Sequence, residues 1–238
     1  VAQNTRNRIP ELLAAGIIHQ EIRLVLTNAI YFKADWATPF EKEATFPETF
    51  HLASGQKVIK PTMHQTKHFN YRETEQAQIL EMPYRGGELS MVMVLPKAAS
   101  SLRAVESGMG PQAFAEWTAG MKSRRVAVAL PKFTFRASLD LGKALESLGM
   151  PLAFSNSADF SGLTDDLRLK IDRVIHQAFV AVDEKGTEAA AATAIIMKPT
   201  AAPIEEEPVI FKADRPFLFY IRDQKSGTVL FMGRLMEP

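Results

Sequence analysis

The 238-residue sequence contains no cysteine. This absence excludes disulfide bonds, a thiolate nucleophile, and zinc or iron–sulfur sites that depend on cysteine ligands. An excess of one charge is also lacking, because 28 Lys and Arg residues balance 27 Asp and Glu residues and leave a net charge of +1. The balance gives no electrostatic basis for nucleic acid or an anionic membrane as the main partner. No run approaches the roughly 18 apolar residues of a membrane-spanning helix.

Common catalytic and cofactor motifs are missing as well. No Walker loop or dinucleotide fingerprint is present, and the serine-rich segment around Ser157 lacks the Gly-x-Ser-x-Gly pattern of a hydrolase nucleophile. His64 and His68 have the i, i+4 spacing of a helical zinc pair. The nearby Pro61 disfavours a helix, and no third ligand is close in sequence. The sequence therefore predicts no cofactor and no metal site, and nothing in it points to a catalytic Ser/His/Asp set, although motifs alone do not exclude one.

The composition is that of an ordinary globular protein, with 46% hydrophobic and 23% charged residues. Near-continuous apolar runs at 24–32, 89–95 and 125–130 predict strands, and the first is expected to be covered on both faces. Residues 218–221 and 229–232 flank a Gly-containing turn and predict a hairpin. Since strands and helices do not alternate strictly, the expected class is α+β with large sheets.

Helical patterns are fewer. Leucines at helical spacing predict a helix over 138–149 that ends at a glycine, and 98–121 is expected to hold one or two short helices. Residues 1–15 have the pattern of the second half of an amphipathic helix, with Ile9 on its apolar face. A chain that starts inside a helix is expected to be the later part of a longer protein. Any signal peptide would then lie in the missing part.

Residues 182–194 carry the most functional information. A strand-like run through Val182 meets a charged turn, and four alanines then stand between Thr187 and Thr193. Alanine is the best helix former, so an exposed helix capped by a threonine is one interpretation. The other is a segment of side chains small enough to fit between two strands of an existing sheet. Residue propensities alone favour neither.

Three segments together resemble the serpin family: residues 24–36, residues 183–193, and residues 211–221 with 230–234 closing the chain. Their order and spacing match, and the resemblance covers all 238 residues. It implies an α+β serpin fold with three β-sheets, surrounding helices and an exposed reactive loop, truncated at its N-terminus. It also implies one partial domain over 1–238, with the hinge and reactive loop at 184–208.

The implied function is inhibition of a serine-type protease by suicide-substrate trapping, in which the cleaved loop inserts into the main sheet. Non-inhibitory relatives often carry bulky or charged residues in the hinge, and this chain carries small ones. The hinge positions that match the family are Glu184, Gly186, Thr187, Glu188, Ala189, Ala190, Ala191, Ala192 and Thr193.

The family's spacing also implies a reactive bond. Counting sixteen residues from Glu184 gives Thr200, with cleavage before Ala201. Lys198 would suit a trypsin-like pocket, but the amide before Pro199 is a poor protease substrate. The expected partner is therefore a protease with a small, apolar primary pocket, of the elastase or subtilisin type.

Further residues align with the region that controls opening of the main sheet. On residue type alone His176 is a hydrogen-bonded core histidine; the resemblance places it with Asn28 in a polar cluster beneath the sheet and Trp36 near the point of loop insertion. The family favours a secreted monomer. Two alternatives stay open: a non-inhibitory serpin acting as a carrier, chaperone or storage protein, and an incomplete fragment that is inactive by itself.

Overall fold

A computed structural model describes residues 1–97, 101–164, 169–187 and 207–238. The described residues form two compact units, one from those within 1–32 and 135–180 and one from those within 33–134 and 181–238. The expected hinge residues 188–193 and the expected Thr200–Ala201 bond lie outside the described residues. The expectation of a single domain over the whole chain stays a prediction.

Strands dominate the described residues. They are β1 (Val25–Tyr31), β2 (Ala34–Asp35), β3 (Thr45–His51), β4 (Lys57–Glu73), β5 (Ala77–Pro83), β6 (Leu89–Pro96), β7 (Lys122–Pro131), β8 (Phe133–Asp140), β9 (Arg173–Val182), β10 (Gly186–Thr187), β11 (Val209–Lys212), β12 (Phe217–Asp223) and β13 (Val229–Leu235). The helices are α1 (Leu102–Ser107), α2 (Pro111–Ala119) and α3 (Gly142–Ser147), with 3-10 turns at Lys42–Ala44 and Leu152–Phe154. In this part of the chain no helix has the length and apolar character needed to cross a membrane.

An eight-stranded sheet forms most of the second unit as it is described. Its order is β11-β7-β4-β5-β6-β12-β13, with β3 also paired to β4. All pairs are antiparallel except β11 with β7. The long strand β4 pairs with β3, β7 and β5, so it joins the two ends of the sheet. This sheet confirms the strands predicted over 89–95 and 125–130. It also confirms the hairpin predicted from 218–221 and 229–232.

The core of this sheet lies on β5, β6 and β12. Residues 91–95 of β6 are fully buried, as the apolar sequence predicts for a central strand. Helices α1 and α2 cover one face, where Val105 and Phe114 join Val92, Val94 and Leu218 in one cluster. The short helices predicted over 98–121 are thus confirmed.

The first unit contains a parallel pair, β1 with β9. Their register runs from Val25 opposite Arg173 to Tyr31 opposite Phe179. β8 pairs with β9 as well. The expectation that β1 is covered on both faces is wrong for the described residues, because Leu26 is 42% exposed.

The helix expected over residues 1–15 is also wrong. Arg6 and Asn7 have φ values of 50° and 59°, which no right-handed helix contains. The Thr5 hydroxyl instead accepts a hydrogen bond from the Ile9 amide at 3.1 Å, a local bond that competes with helix formation. Ile9 is still buried. The apolar pattern therefore marked a buried position correctly, although the residues around it form turns and not a helix.

The helix expected over 138–149 is shorter than predicted, since residues up to Asp140 belong to β8. The Asp140 carboxylate accepts a hydrogen bond from the Gly142 amide at 3.1 Å, which places the helix start after it. Leu148 is 83% exposed, so the leucine spacing predicted a wider buried face on this helix than the structure has.

Candidate functional site

The chain reverses direction directly after β9. The Asp183 amide donates to the Gly186 carbonyl at 2.9 Å, and the Gly186 amide donates back at 3.3 Å. The Asp183 carboxylate also accepts a hydrogen bond from the Lys185 amide at 2.9 Å, as aspartate commonly does in turns. This turn brings β10 back alongside the end of β9.

β10 lies between two strand ends. Thr187 pairs with Val182 on one side and with Ala34 of β2 on the other. Thr187 is thus paired on both sides, as a residue inside a sheet is.

Gly186 is required by close backbone approach. Its φ is +153°, and a Cβ atom there would lie 2.2 Å from the Ala34 carbonyl oxygen and 2.6 Å from the Asp35 Cα. Both neighbours are backbone atoms that cannot rotate away. Any larger residue would push β10 off β2.

The Thr187 side chain is already fully buried. Its hydroxyl oxygen lies 2.9 Å from the hydroxyl oxygen of Tyr84, which is itself 1% exposed. The Tyr84 ring stacks on Trp36 with 4.6 Å between ring centroids and 6° between planes. Burial raises the pKa of Tyr84, so the phenol keeps its proton. The two hydroxyls thus form a neutral buried hydrogen bond.

Glu184 makes an ion pair with Lys132. The Lys132 Nζ atom lies 3.0 Å and 2.8 Å from the two carboxylate oxygens. Burial alone would raise the pKa of Glu184, but the hydrogen bonds that its carboxylate accepts, the largest contribution coming from Lys132, together with the Lys132 charge outweigh burial, and this pKa lies below its ordinary value. The carboxylate is therefore charged at neutral pH, and it fixes the turn to the residue that follows β7.

Trp36 and Phe40 hold the backbone of the same turn. The Trp36 amide donates to the Lys185 carbonyl at 2.8 Å, and its indole N–H donates to the Asp183 carbonyl at 3.1 Å. The Phe40 amide donates to the Glu184 carbonyl at 2.7 Å. Three successive carbonyls of the turn thus have defined donors.

Asn28 and His176 contact each other in the first unit. They are direct partners in the β1–β9 register, and the Nδ1 atom of His176 lies 2.9 Å from Oδ1 of Asn28. Because an amide oxygen only accepts, Nδ1 carries the proton. The expected hydrogen bond is confirmed, but the expected core position is wrong, since His176 is only partly buried.

The whole chain matches one known family. The family model described as "Serpin (serine protease inhibitor)" covers residues 1–238. The chain belongs to the serpin family. Two curated serpins that it resembles are an uncharacterized serpin-like protein of Thermococcus kodakarensis, 44% identical over 238 residues, and the leukocyte elastase inhibitor of Sus scrofa, 40% identical over 246 residues.

All of this chain is covered in both matches, but it spans only 55% and 64% of those two serpins. Among solved structures it resembles the thyroxine-binding globulin complex with thyroxine, with a TM-score of 0.87 and 31% identity. That match covers 100% of this chain and 62% of the globulin chain. The α+β serpin fold expected from the sequence is confirmed.

Two residues that contact the expected hinge, Tyr84 and Lys132, were missed by sequence reasoning. Tyr84 is 103 positions away from Thr187, and Lys132 is 52 positions away from Glu184. Each directly follows a proline that ends a strand, Pro83 and Pro131. A strand end is a weak signal, and no spacing rule links either residue to the hinge.

The histidine pair considered for zinc lies on a strand. His64 and His68 both belong to β4, and the His64 ring stacks on Phe46 at 4.1 Å. Its Nε2 atom lies 3.3 Å from the Glu48 carboxylate. Among the described residues no group of three or more His, Asp or Glu side chains is arranged to hold a metal ion.

Proposed function

We propose that the protein that carries this chain inhibits serine proteases by trapping them as a covalent acyl-enzyme. The observation that carries this proposal is the buried, strand-paired position of Thr187, the first hinge side chain that has to enter a sheet. The family description and the elastase inhibitor among its relatives support it. The protein acts as a substrate that is not released, and not as an enzyme.

The proposed trap works by strand insertion. A protease attacks the reactive loop and forms an ester with it, and the cleaved loop then enters between β1 and β9 as a new strand. Each inserted residue exchanges solvated backbone for sheet hydrogen bonds and buried apolar area, so the inserted form is more stable. Insertion has to be faster than hydrolysis of the ester.

The hinge composition suits rapid insertion. Ala189, Ala190, Ala191 and Ala192 add little volume and meet little steric resistance. Threonine at 187 is small, and its hydroxyl is satisfied once it is buried. A charged residue at this position would have to lose its hydration to enter the sheet.

Asn28 and His176 are proposed to control opening of the sheet. Their side chains bond across the β1–β9 pair, which is the pair that has to separate for a new strand to enter. Separation breaks this bond, so it adds to the barrier against insertion before cleavage.

The proposed reactive bond is Thr200–Ala201, and the proposed target has a small, apolar primary pocket. Incubation with an elastase-type serine protease tests this, with the products resolved on a denaturing gel and by intact mass. We expect a covalent complex and a released peptide that begins at Ala201. A cut outside residues 199–202 would refute the assigned bond.

Substitution of the hinge tests the mechanism itself. We expect Thr187→Arg to be cleaved at the same bond without forming the covalent complex, because arginine cannot be buried where threonine is. Inhibition equal to that of the unchanged protein would refute insertion at Thr187. Thr187→Ser is the matched control and should still trap.

A carrier function is the second candidate, favoured by the likeness to thyroxine-binding globulin. The small hinge residues argue against it. A protein that is cleaved by every serine protease tested and traps none, yet binds an apolar ligand, would favour the carrier.

A further inference from the structure

The Tyr84 hydroxyl bonds to the hinge in a way that strand pairing does not require. The β10 backbone already pairs with β2 and β9 without it. The hydroxyl nevertheless reaches Thr187 at 2.9 Å inside a fully buried site. Loss of this bond is destabilising, because a threonine hydroxyl buried there has lost water and would also lose the partner that it has in Tyr84.

The Tyr84 ring is held in place before any loop movement. It stacks on Trp36, and the two residues form an isolated antiparallel bridge. The adjacent Arg85 amide donates to the Asp35 carbonyl at 2.7 Å, next to the residue that pairs with Thr187. The same few residues therefore fix both the hydroxyl and the strand that receives the hinge.

We propose that Tyr84 is a positioning residue for loop insertion: its hydroxyl holds Thr187 in the sheet before the loop is cleaved. Insertion then starts from a residue that is already paired and continues from Thr187 into the alanine segment. This shortens the time during which the ester can be hydrolysed. The inference rests on the proposed inhibitory function and adds the residue that starts insertion.

A double-mutant cycle tests the bond in the protein that carries this chain. Tyr84→Phe keeps the stacked ring and removes only the hydroxyl. We expect the ratio of hydrolysed to trapped inhibitor to rise about fivefold or more with an elastase-type protease, because the hinge leaves the sheet more often. The double variant Tyr84→Phe/Thr187→Val should have nearly the same ratio as the Thr187→Val single variant. Once the threonine hydroxyl is absent, loss of the tyrosine hydroxyl leaves no buried group without its partner.

Hydrogen exchange provides a readout that needs no protease. The Trp36 amide bonds to the Lys185 carbonyl, so its exchange rate reports whether the turn before β10 is in place. We expect Tyr84→Phe to speed this exchange about fivefold or more, and the double variant to reverse the change. Tyr220→Phe is the matched control, because it removes a hydroxyl from another buried ring, on β12, and should change neither readout.

The possible outcomes distinguish failure of the proposed inhibitory function from failure of the proposed role of Tyr84. If the unchanged protein traps no serine protease, the proposed function fails, and the exchange rates still decide whether Tyr84 holds Thr187. Trapping and exchange that are both unaffected in Tyr84→Phe would overturn the inference while leaving inhibition intact. A Tyr84→Phe effect that persists in full when Thr187→Val is also present would overturn it too, because the effect would then come from packing and not from the hydroxyl pair.

Discussion

Among single residues, Glu81 is a carboxylate held inside the eight-stranded sheet. It is 2% exposed, and it accepts hydrogen bonds from Ser90 at 2.6 Å and from Asn70 at 2.9 Å. The Arg222 guanidinium donates two more at 2.9 Å and 2.7 Å. Burial alone would raise the pKa of Glu81, but these donors outweigh it and hold the pKa below its ordinary value. A charge is therefore tolerated here because it is bonded by three different side chains.

We expect Glu81→Gln to lower the free energy of unfolding by about 3 kcal/mol, because it leaves the Arg222 charge without its partner. Urea unfolding at pH 7 measures this. Glu73→Gln is the matched control; its bond to Lys97 is solvent-exposed, so the expected loss is below about 1 kcal/mol. Equal losses in the two variants would contradict the role of burial.

The pH dependence of stability follows from the same carboxylate. A pKa that folding lowers gives stability that is fully present above the unfolded value of about 4.5 and is lost as the pH falls through the lower folded value. The unchanged protein should therefore lose stability below about pH 4.5 more steeply than Glu81→Gln does. Chemical unfolding at a series of pH values checks this.

The Glu184–Lys132 pair is more exposed on its lysine side, since the Lys132 side chain is 37% exposed. We expect Glu184→Gln to lower the free energy of unfolding by about 1 kcal/mol, the upper end for such pairs. Glu106→Gln, which disrupts the exposed pair with Arg234, is the control and should cost less. If the two variants lose the same free energy of unfolding, the Glu184–Lys132 pair does not stabilise the turn more than an exposed pair would.

Among the secondary-structure elements, β10 depends on the space that glycine leaves. Gly186→Ala places a methyl group 2.2 Å from the Ala34 carbonyl oxygen, so we expect β10 to separate from β2 with a loss of about 2 kcal/mol. Thermal unfolding measures this loss. Gly55→Ala is the control, because Gly55 also has a positive φ but nothing within 4 Å of the added atom. It should lose less, through backbone strain alone.

The strands were more predictable from the sequence than the helices. In β6 a run of apolar residues is buried on both faces, so its pattern needs no knowledge of the partners. The first 15 residues fail because Arg6 and Asn7 adopt left-handed conformations that apolar spacing does not encode. Gly186 and Thr187 were singled out from the sequence because their side chains are small, and the structure places both in β10 with little room for larger ones. The contacts that Tyr84 and Lys132 make with this segment could not be predicted, because both residues lie at the ends of distant strands.

For the molecule as a whole, the proposed mechanism requires the cleaved protein to be more stable than the intact one. We expect cleavage within residues 199–202 to raise the melting temperature by about 10 °C or more, because several inserted residues each add a net hydrogen bond. Calorimetry before and after limited proteolysis measures this in the protein that carries this chain. Thr187→Arg cut at the same bond is the control and should show no rise. An unchanged melting temperature in the cleaved, unsubstituted protein would contradict insertion.

The order of amino acids was enough to indicate the family, to single out the small side chains of the proposed hinge, and to predict the strands whose apolar runs are continuous. These are local properties, set by the identity and size of neighbouring residues. The folded chain was needed to find that Thr187 is already buried against Tyr84 and that Lys132 pairs with Glu184. These contacts join residues 103 and 52 positions apart. Strand order and register create them, and no local pattern records which distant residue a side chain will meet.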